Sequence, residues 1–150
     1  MTGIEIVTLK PELIEPLTRM LRDLQEAGDE RDFHPHPLVE DAVRDIVATS
    51  RRDQYYLVLE DGDVLAYGML RGWDKGFEVP GLGIAVSPKA RGEGIGLLLV
   101  RFLHLAAKRA GASRVRLTVN VDNEQARRLY ESVGYTFEPY EDRLLGFVTL

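Results

Sequence analysis

Val86-Ser-Pro-Lys-Ala-Arg-Gly-Glu-Gly-Ile-Gly96 is the stretch whose reading decides the fold. Upstream of it, Leu82-Gly83-Ile84-Ala85-Val86 has the composition of a buried strand. Downstream, Ile95 to Ala110 is apolar around most of its surface and holds no proline, the pattern of a long helix. A strand therefore passes through a glycine-dense turn straight into a helix. Glycines at 92, 94 and 96 let backbone N–H groups approach a ligand closely. The first turn of a helix also leaves about four N–H donors unpaired and carries a partial positive charge of roughly half a unit. Such a turn suits an anion, with Arg91 at its lip as a charged donor. It is equally the form of a tight connection, and the familiar phosphate patterns do not decide the matter. G-x-G-x-x-G fails at Leu97, and the P-loop lysine is missing after Gly96.

Composition narrows the class. A chain of 150 residues with 45% hydrophobic content makes one domain with a single sizeable core, so residues 1–150 are read as one unit. The absence of cysteine excludes disulfides, thiolate zinc sites and cysteine nucleophiles, and fits a cytoplasmic location. Three scattered histidines give no metal site. The apolar helix near residues 95–107 is too short for a bilayer and contains Arg101 and His104, and no signal peptide is legible, so no membrane role is expected. His104 itself reads as packing or surface. A net charge of −5 argues against nucleic-acid binding. Arg101, Lys108, Arg109, Arg114, Arg116, Arg127 and Arg128 crowd the C-terminal half while acids dominate residues 12–63, an asymmetry that fits a phosphate-rich small molecule.

Working outward, Ile4 to Leu9 alternates as a strand, and Pro11 opens a helix that ends near Gly28. Asp29 to Pro37, with Phe33, His34 and His36 among prolines, reads as a loop and a candidate for substrate contact. Leu38 to Ser50 has helical spacing. An antiparallel meander follows, with strands Tyr55 to Glu60, Val64 to Arg71 and Phe77 to Val86 and turns at Asp61-Gly62 and Asp74-Lys75-Gly76. Pro80 forces an irregularity or an edge in the third strand. After the helix that follows the glycine turn come a strand Arg114 to Asn120, a helix Glu124 to Val133, and strands Tyr135 to Tyr140 and Leu144 to Leu150. Alternating strand and helix implies that the strand ending at Val86 lies parallel to Val115-Val119.

Two motifs now combine. Arg91-Gly92-Glu93-Gly94-Ile95-Gly96 fits the pattern Q/R-x-x-G-x-G/A, and Asn120, Asn123, Ala126, Leu129, Tyr130, Gly134 and Tyr135 fit N-x-x-N-x-x-A-x-x-L-Y-x-x-x-G-F/Y. In this order, after these elements, the chain resembles the GNAT family of N-acetyltransferases. The resemblance implies an α/β fold, α+β in some schemes. Its single domain would hold a mixed, mostly antiparallel sheet of six or seven strands, flanked by about four helices, with the central parallel strands splayed. It implies transfer of an acetyl group from acetyl-CoA to an amine, through direct attack and a tetrahedral intermediate. The pantetheine arm would pair with the backbone at Ile84 and Val86, and the pyrophosphate would sit on Arg91 and the amides of Gly92, Gly94, Ile95 and Gly96. Asn123 would cap the next helix or reach the pantetheine amides. Tyr130, two turns on along the same face, would be the general acid for the departing thiolate.

The attacking amine must be neutral, so a proton has to be taken up. The resemblance makes Glu78 the leading base, with Asp74, His34, His36, Tyr140 or water as alternatives. Phe33, His34, Trp73 and Tyr140 are expected to frame the acceptor, read as a small molecule whose amine suits the acidic N-terminal half. Two other readings are a peptide or protein amine as acceptor, and a non-catalytic acyl-CoA-binding module. A homodimer through the C-terminal strands is compatible with the resemblance.

Overall fold

The computed structural model describes residues 3–150. Seven strands form one sheet in the order β1-β2-β3-β4-β5-β7-β6, with β1 Glu5–Thr8, β2 Gln54–Glu60, β3 Asp63–Arg71, β4 Gly81–Val86, β5 Arg114–Asn120, β6 Thr136–Tyr140 and β7 Arg143–Thr149. All neighbours are antiparallel except β4 and β5. Four α-helices cover the sheet: α1 Ile14–Glu26, α2 Glu40–Thr49, α3 Ile95–Arg109 and α4 Glu124–Ser132. The expected fold class and mostly antiparallel sheet are what is found. Among the described residues, no helix is long and apolar enough to cross a membrane.

Side-chain alternation along the strands divides the interior into two cores. Leu57, Tyr67 and Met69 pack with Leu17, Leu21 and Leu24 of α1 and Val43 of α2. Val58, Ala66, Leu70 and Leu82 pack on the other face with Leu99, Val100 and Leu103 of α3 and with Tyr130. Gly68 sits beneath α3, where an added Cβ would come within 2.9 Å of the Leu99 Cδ2. The glycine thus sets how closely α3 lies on β3, and α3 in turn carries the glycine turn at its N-terminus.

Element boundaries depart from the sequence reading in one place that matters. The third meander strand begins at Gly81, not Phe77, because its pairing with β3 ends at Arg71↔Gly81. Beyond Arg71 the chain leaves the sheet into a short 3-10 turn at Trp73–Lys75, and Phe77 donates its N–H back to Gly72 at 3.0 Å. Residues 77–80 therefore have no β3 residue beside them to pair with. Pro139, by contrast, lies within β6 at the sheet edge, where its missing N–H costs no ladder bond.

Gly68→Val forces branched methyl groups into the α3 seat. We expect a loss of about 1–3 kcal/mol of stability, from overpacking, read as a lowered Tm by calorimetry. An unchanged Tm would show that α3 has slack above β3.

Candidate active site

β4 and β5 share a single bridge, Gly81↔Arg116, and then part. In a strand, the N–H and C=O of successive residues face alternate neighbours. Ser87 donates its N–H to Leu65 on the β3 side at 2.8 Å, whereas Pro80 accepts from the N–H of Arg116 on the β5 side at 3.0 Å. Odd-numbered residues of β4 thus face β3, and even-numbered ones face the gap. Ile84 presents both backbone groups to that gap and Val86 presents its N–H, with no strand opposite. The Val86 carbonyl accepts from Arg91 Nε at 3.3 Å and Nη2 at 3.2 Å. Unpaired backbone groups in a row at a strand edge are a template for an extended ligand with alternating donors and acceptors.

The gap opens into a cavity of about 440 Å³. Ile84, Val86, Arg91, Gly92, Gly94, Ile95, Gly96, Asn123 and Tyr130 all line it, so residues drawn from a strand, a turn and two helices meet on one volume. At its α3 end Gly92 and Gly94 have φ of 79° and 85°, left-handed values that a side chain strains to adopt. Gly94 accepts the N–H of Leu98 at 3.1 Å, which leaves the amides of Ile95, Gly96 and Leu97 as the unpaired first turn of α3. Gly96 is a different case. Its φ is not left-handed, and a Cβ there would meet Leu129, Val86 and Ile84 only at 3.5–3.8 Å, ordinary contact distances. The fold tolerates alanine at 96; the cavity would lose volume.

On the far wall, Asn123 Oδ1 accepts the N–H of Ala126 at 3.3 Å and caps α4 while its side chain remains on the cavity. Tyr130 is 6% exposed and packs edge-on to Tyr135 at 5.4 Å. Its hydroxyl makes no hydrogen bond among the described residues and is not sealed off from solvent. Burial disfavours the phenolate and pushes its pKa well above the usual tyrosine value, so the group keeps its proton. Unbonded, protonated and facing the cavity, it is a hydrogen-bond donor without an acceptor.

A model of the acetyltransferase (GNAT) family matches residues 17–135. The chain belongs to the GNAT family. No curated protein matches the sequence. Among solved structures, it is similar to an N-acetyltransferase from Staphylococcus aureus, at 20% identity and a TM-score of 0.77, with 99% of this chain and 98% of that chain covered. It is similar to the PaiA N-acetyltransferase from Thermoplasma acidophilum in complex with coenzyme A, at 17% identity and a TM-score of 0.77, with 99% of each chain covered. The ribosomal-protein-S18-alanine N-acetyltransferase from Escherichia coli also matches, at 18% identity and a TM-score of 0.74, with 98% and 94% covered. At these identities the likeness is one of fold.

A second cavity of this GNAT protein, about 510 Å³, adjoins the first and shares Asp32, Phe33, Leu82, Gly83 and Thr118 with it. Phe33 and His34 line it. Trp73 and Tyr140 do not. Trp73 is 5% exposed and turned into the α3 core, and Tyr140 lies exposed at the tip of the outermost hairpin. Glu78 is also misplaced by the sequence reading: with β4 starting at Gly81 it falls in an exposed bend and lines neither cavity. Among the alternative bases, Asp74 accepts the amides of Arg51, Arg52 and Asp53 outside both cavities, and these bonds hold its pKa below the usual carboxylate value. His36 is committed at both nitrogens, to the Pro37 carbonyl and the Tyr67 hydroxyl, and burial lowers its pKa. His34 differs: the Glu30 carbonyl can only accept, so His34 Nδ1 carries the hydrogen at 2.9 Å and Nε2 is left with an open lone pair.

The charge expectation also needs correcting. Of the seven basic residues counted in the C-terminal half, only Arg116 lines either cavity. Arg127 and Arg128 pair with Glu131 and Glu124 one turn away, and Arg114 lies over the Phe147 ring at 4.7 Å. Arg91 holds the Val86 carbonyl and an ion pair with Asp29. Asp29 belongs to a short segment that crosses the gap, since Asn120 Nδ2 binds the Arg31 carbonyl at 3.1 Å and Asp32 Oδ1 at 2.7 Å, and Arg31 pairs with Asp122. Sequence spacing could not reveal this strap, whose partners lie 62 to 91 residues apart.

Gly96→Ala separates fold from ligand. We expect it to hold or raise Tm, by up to about 1 kcal/mol of helix propensity, while coenzyme A affinity measured by calorimetry falls at least about tenfold, or 1.4 kcal/mol. Unchanged affinity would remove residue 96 from the seat.

Proposed function

We propose that this GNAT protein transfers the acetyl group of acetyl-CoA to the amine of a small molecule. The observation that carries the reading is the gap beside β4, with the bare backbone of Ile84 and the N–H of Val86 on one wall, the Gly92–Gly96 turn at one end and the free Tyr130 hydroxyl opposite. These residues fit the donor: Ile84 and Val86 would pair with its amide-bearing arm, and the amides of Gly94 to Leu97 would hold its phosphates. When bound, acetyl-CoA supplies an activated acyl group and a thiolate leaving group. Tyr130 donates a hydrogen bond to the sulfur; because burial raises its pKa, it stabilises the thiolate by sharing its proton rather than by releasing it early. His34 Nε2 takes the proton of the amine. The second cavity, within the usual size range of small-ligand pockets of about 300–1,000 Å³, favours a small acceptor over a protein surface.

Thiol release from acetyl-CoA over a panel of amines tests the reading. Tyr130→Phe should lower kcat by roughly 10²–10⁴ with acetyl-CoA binding intact. If wild type and variant are equally slow on every amine while acetyl-CoA binds tightly, the chain is a binding module. His34→Ala should lower kcat/KM by a similar factor; an unchanged kcat/KM leaves proton removal to water.

A further inference from the structure

We propose that the amine acceptor also carries an anionic oxyacid group, a carboxylate or a phosphonate, held at the end of the second cavity remote from the glycine turn. The proposal rests on the acetyltransferase reading and names its substrate class. Arg71, Lys75, Arg116 and Arg143 line this cavity against two carboxylates, Asp32 and Asp53. Both acids are already occupied by the chain. Asp53 Oδ1 accepts the amides of Gly72 at 3.0 Å and Asp74 at 3.1 Å, and Asp32 accepts from Asn120. None of the four cations forms an ion pair among the described residues. Nε of Arg143 is buried and has no hydrogen-bond partner among the described residues; paired with Asn120, Arg143 stands further along β5 than Arg116, toward the wall that holds Asp32. Partly buried guanidinium groups without a counter-ion are costly, and an incoming anion removes the cost.

The sheet register shows how two of them are placed. Arg71 pairs with Gly81, and Gly81 bridges to Arg116, so the three stand in one row across β3, β4 and β5. Tyr67 and Met69 of β3 face away from α3, so Arg71 does too; Val115, Leu117 and Val119 of β5 face α3, so Arg116 points to the opposite side. Both guanidinium groups therefore project from the same face, two strand spacings or roughly 10 Å apart, with a residue that has no side chain between them. Planar donor forks in this arrangement suit bidentate capture of an oxyacid.

These cations do not serve the donor's phosphates. Gly81 lies at the opposite end of β4 from Val86, roughly 17 Å along a strand, and no residue between Val86 and Gly96 lines this cavity. The wall shared by the two cavities holds Asp32 and Phe33, next to His34. An acceptor spanning the cavity would set its amine against that wall and its acid toward the Arg71–Gly81–Arg116 row.

Thiol release with matched acceptors reads the acid directly: L-amino acids against their carboxamides, and aminoalkylphosphonates against alkylamines of equal length. In the wild type the acidic member should have the larger kcat/KM by at least about tenfold, and the margin should shrink with added salt. Arg71→Gln and Arg116→Gln should each cut that advantage roughly 10- to 100-fold, the range for a charge-assisted hydrogen bond. The loss should fall in KM, with coenzyme A affinity unchanged as the control for folding. The two acid series distinguish carboxylate from phosphonate. Calorimetric titration of the coenzyme A complex with N-acetyl amino acids and their carboxamides reads the anion site without turnover. If carboxamides and alkylamines are acetylated as well as their acids, the inference is overturned and the acetyltransferase reading stands. If no amine releases thiol yet only the acid forms bind, the anion site stands and the acetyltransferase reading falls. If acids neither react preferentially nor bind preferentially, the inference is wrong.

Discussion

A parallel strand pair must either share its hydrogen bonds along its length or leave a row of donors and acceptors bare, and β4 and β5 do the second after one bridge. Most of what is distinctive in the molecule serves that divergence. The flanking β3–β4 and β5–β7 contacts are antiparallel and continuous, so the sheet can bear an interruption at its centre. α3 closes the bottom of the gap and brings its N-terminus to the end of β4, while α4 and Tyr130 form the facing wall. The strap at residues 29–33 spans the opening, tied to Arg91 on one side and to Asn120 and Asp122 on the other.

Charge is divided between two volumes that meet at a common wall. At the α3 end, the positive potential comes mostly from backbone amides, whose direction is fixed by left-handed glycines at 92 and 94. At the Gly81 end, it comes from side chains at strand ends. The first arrangement discriminates by shape and fits any phosphate that reaches it; the second depends on single residues that differ easily from one protein to the next.

The legibility of the sequence follows the same line. The glycine turn, Asn123 and Tyr130 could be read because each is local: a turn and a helix face fix which residues share a direction. The strand segments followed from alternation and order, and the mostly antiparallel sheet of six or seven strands from the family resemblance. Glu78 was read as part of a strand that begins only at Gly81, because a strand start depends on where its partner ends, and β3 leaves the sheet at Arg71. Arg71 and Arg143 stayed hidden since they line one cavity with Arg116 only through the order β3-β4-β5-β7, which no local pattern encodes. Arg116 was visible as one of a basic cluster, yet the other members proved to be spent on helix pairs and a ring, or to lie away from the cavities.

The lone bridge at Gly81 and Arg116 has a mechanical side. It makes the sheet two sheets, β1 to β4 and β5-β7-β6, joined across the middle by one backbone contact and otherwise by the packing of α3 and the strap. Such halves behave as separate foldons whose amides exchange with solvent at different rates, and the seam between them opens more readily than either half melts. A ligand lying in the seam acts as an eighth strand. Its occupancy would couple the two halves into one cooperative unit, so hydrogen exchange would slow at residues that never touch it.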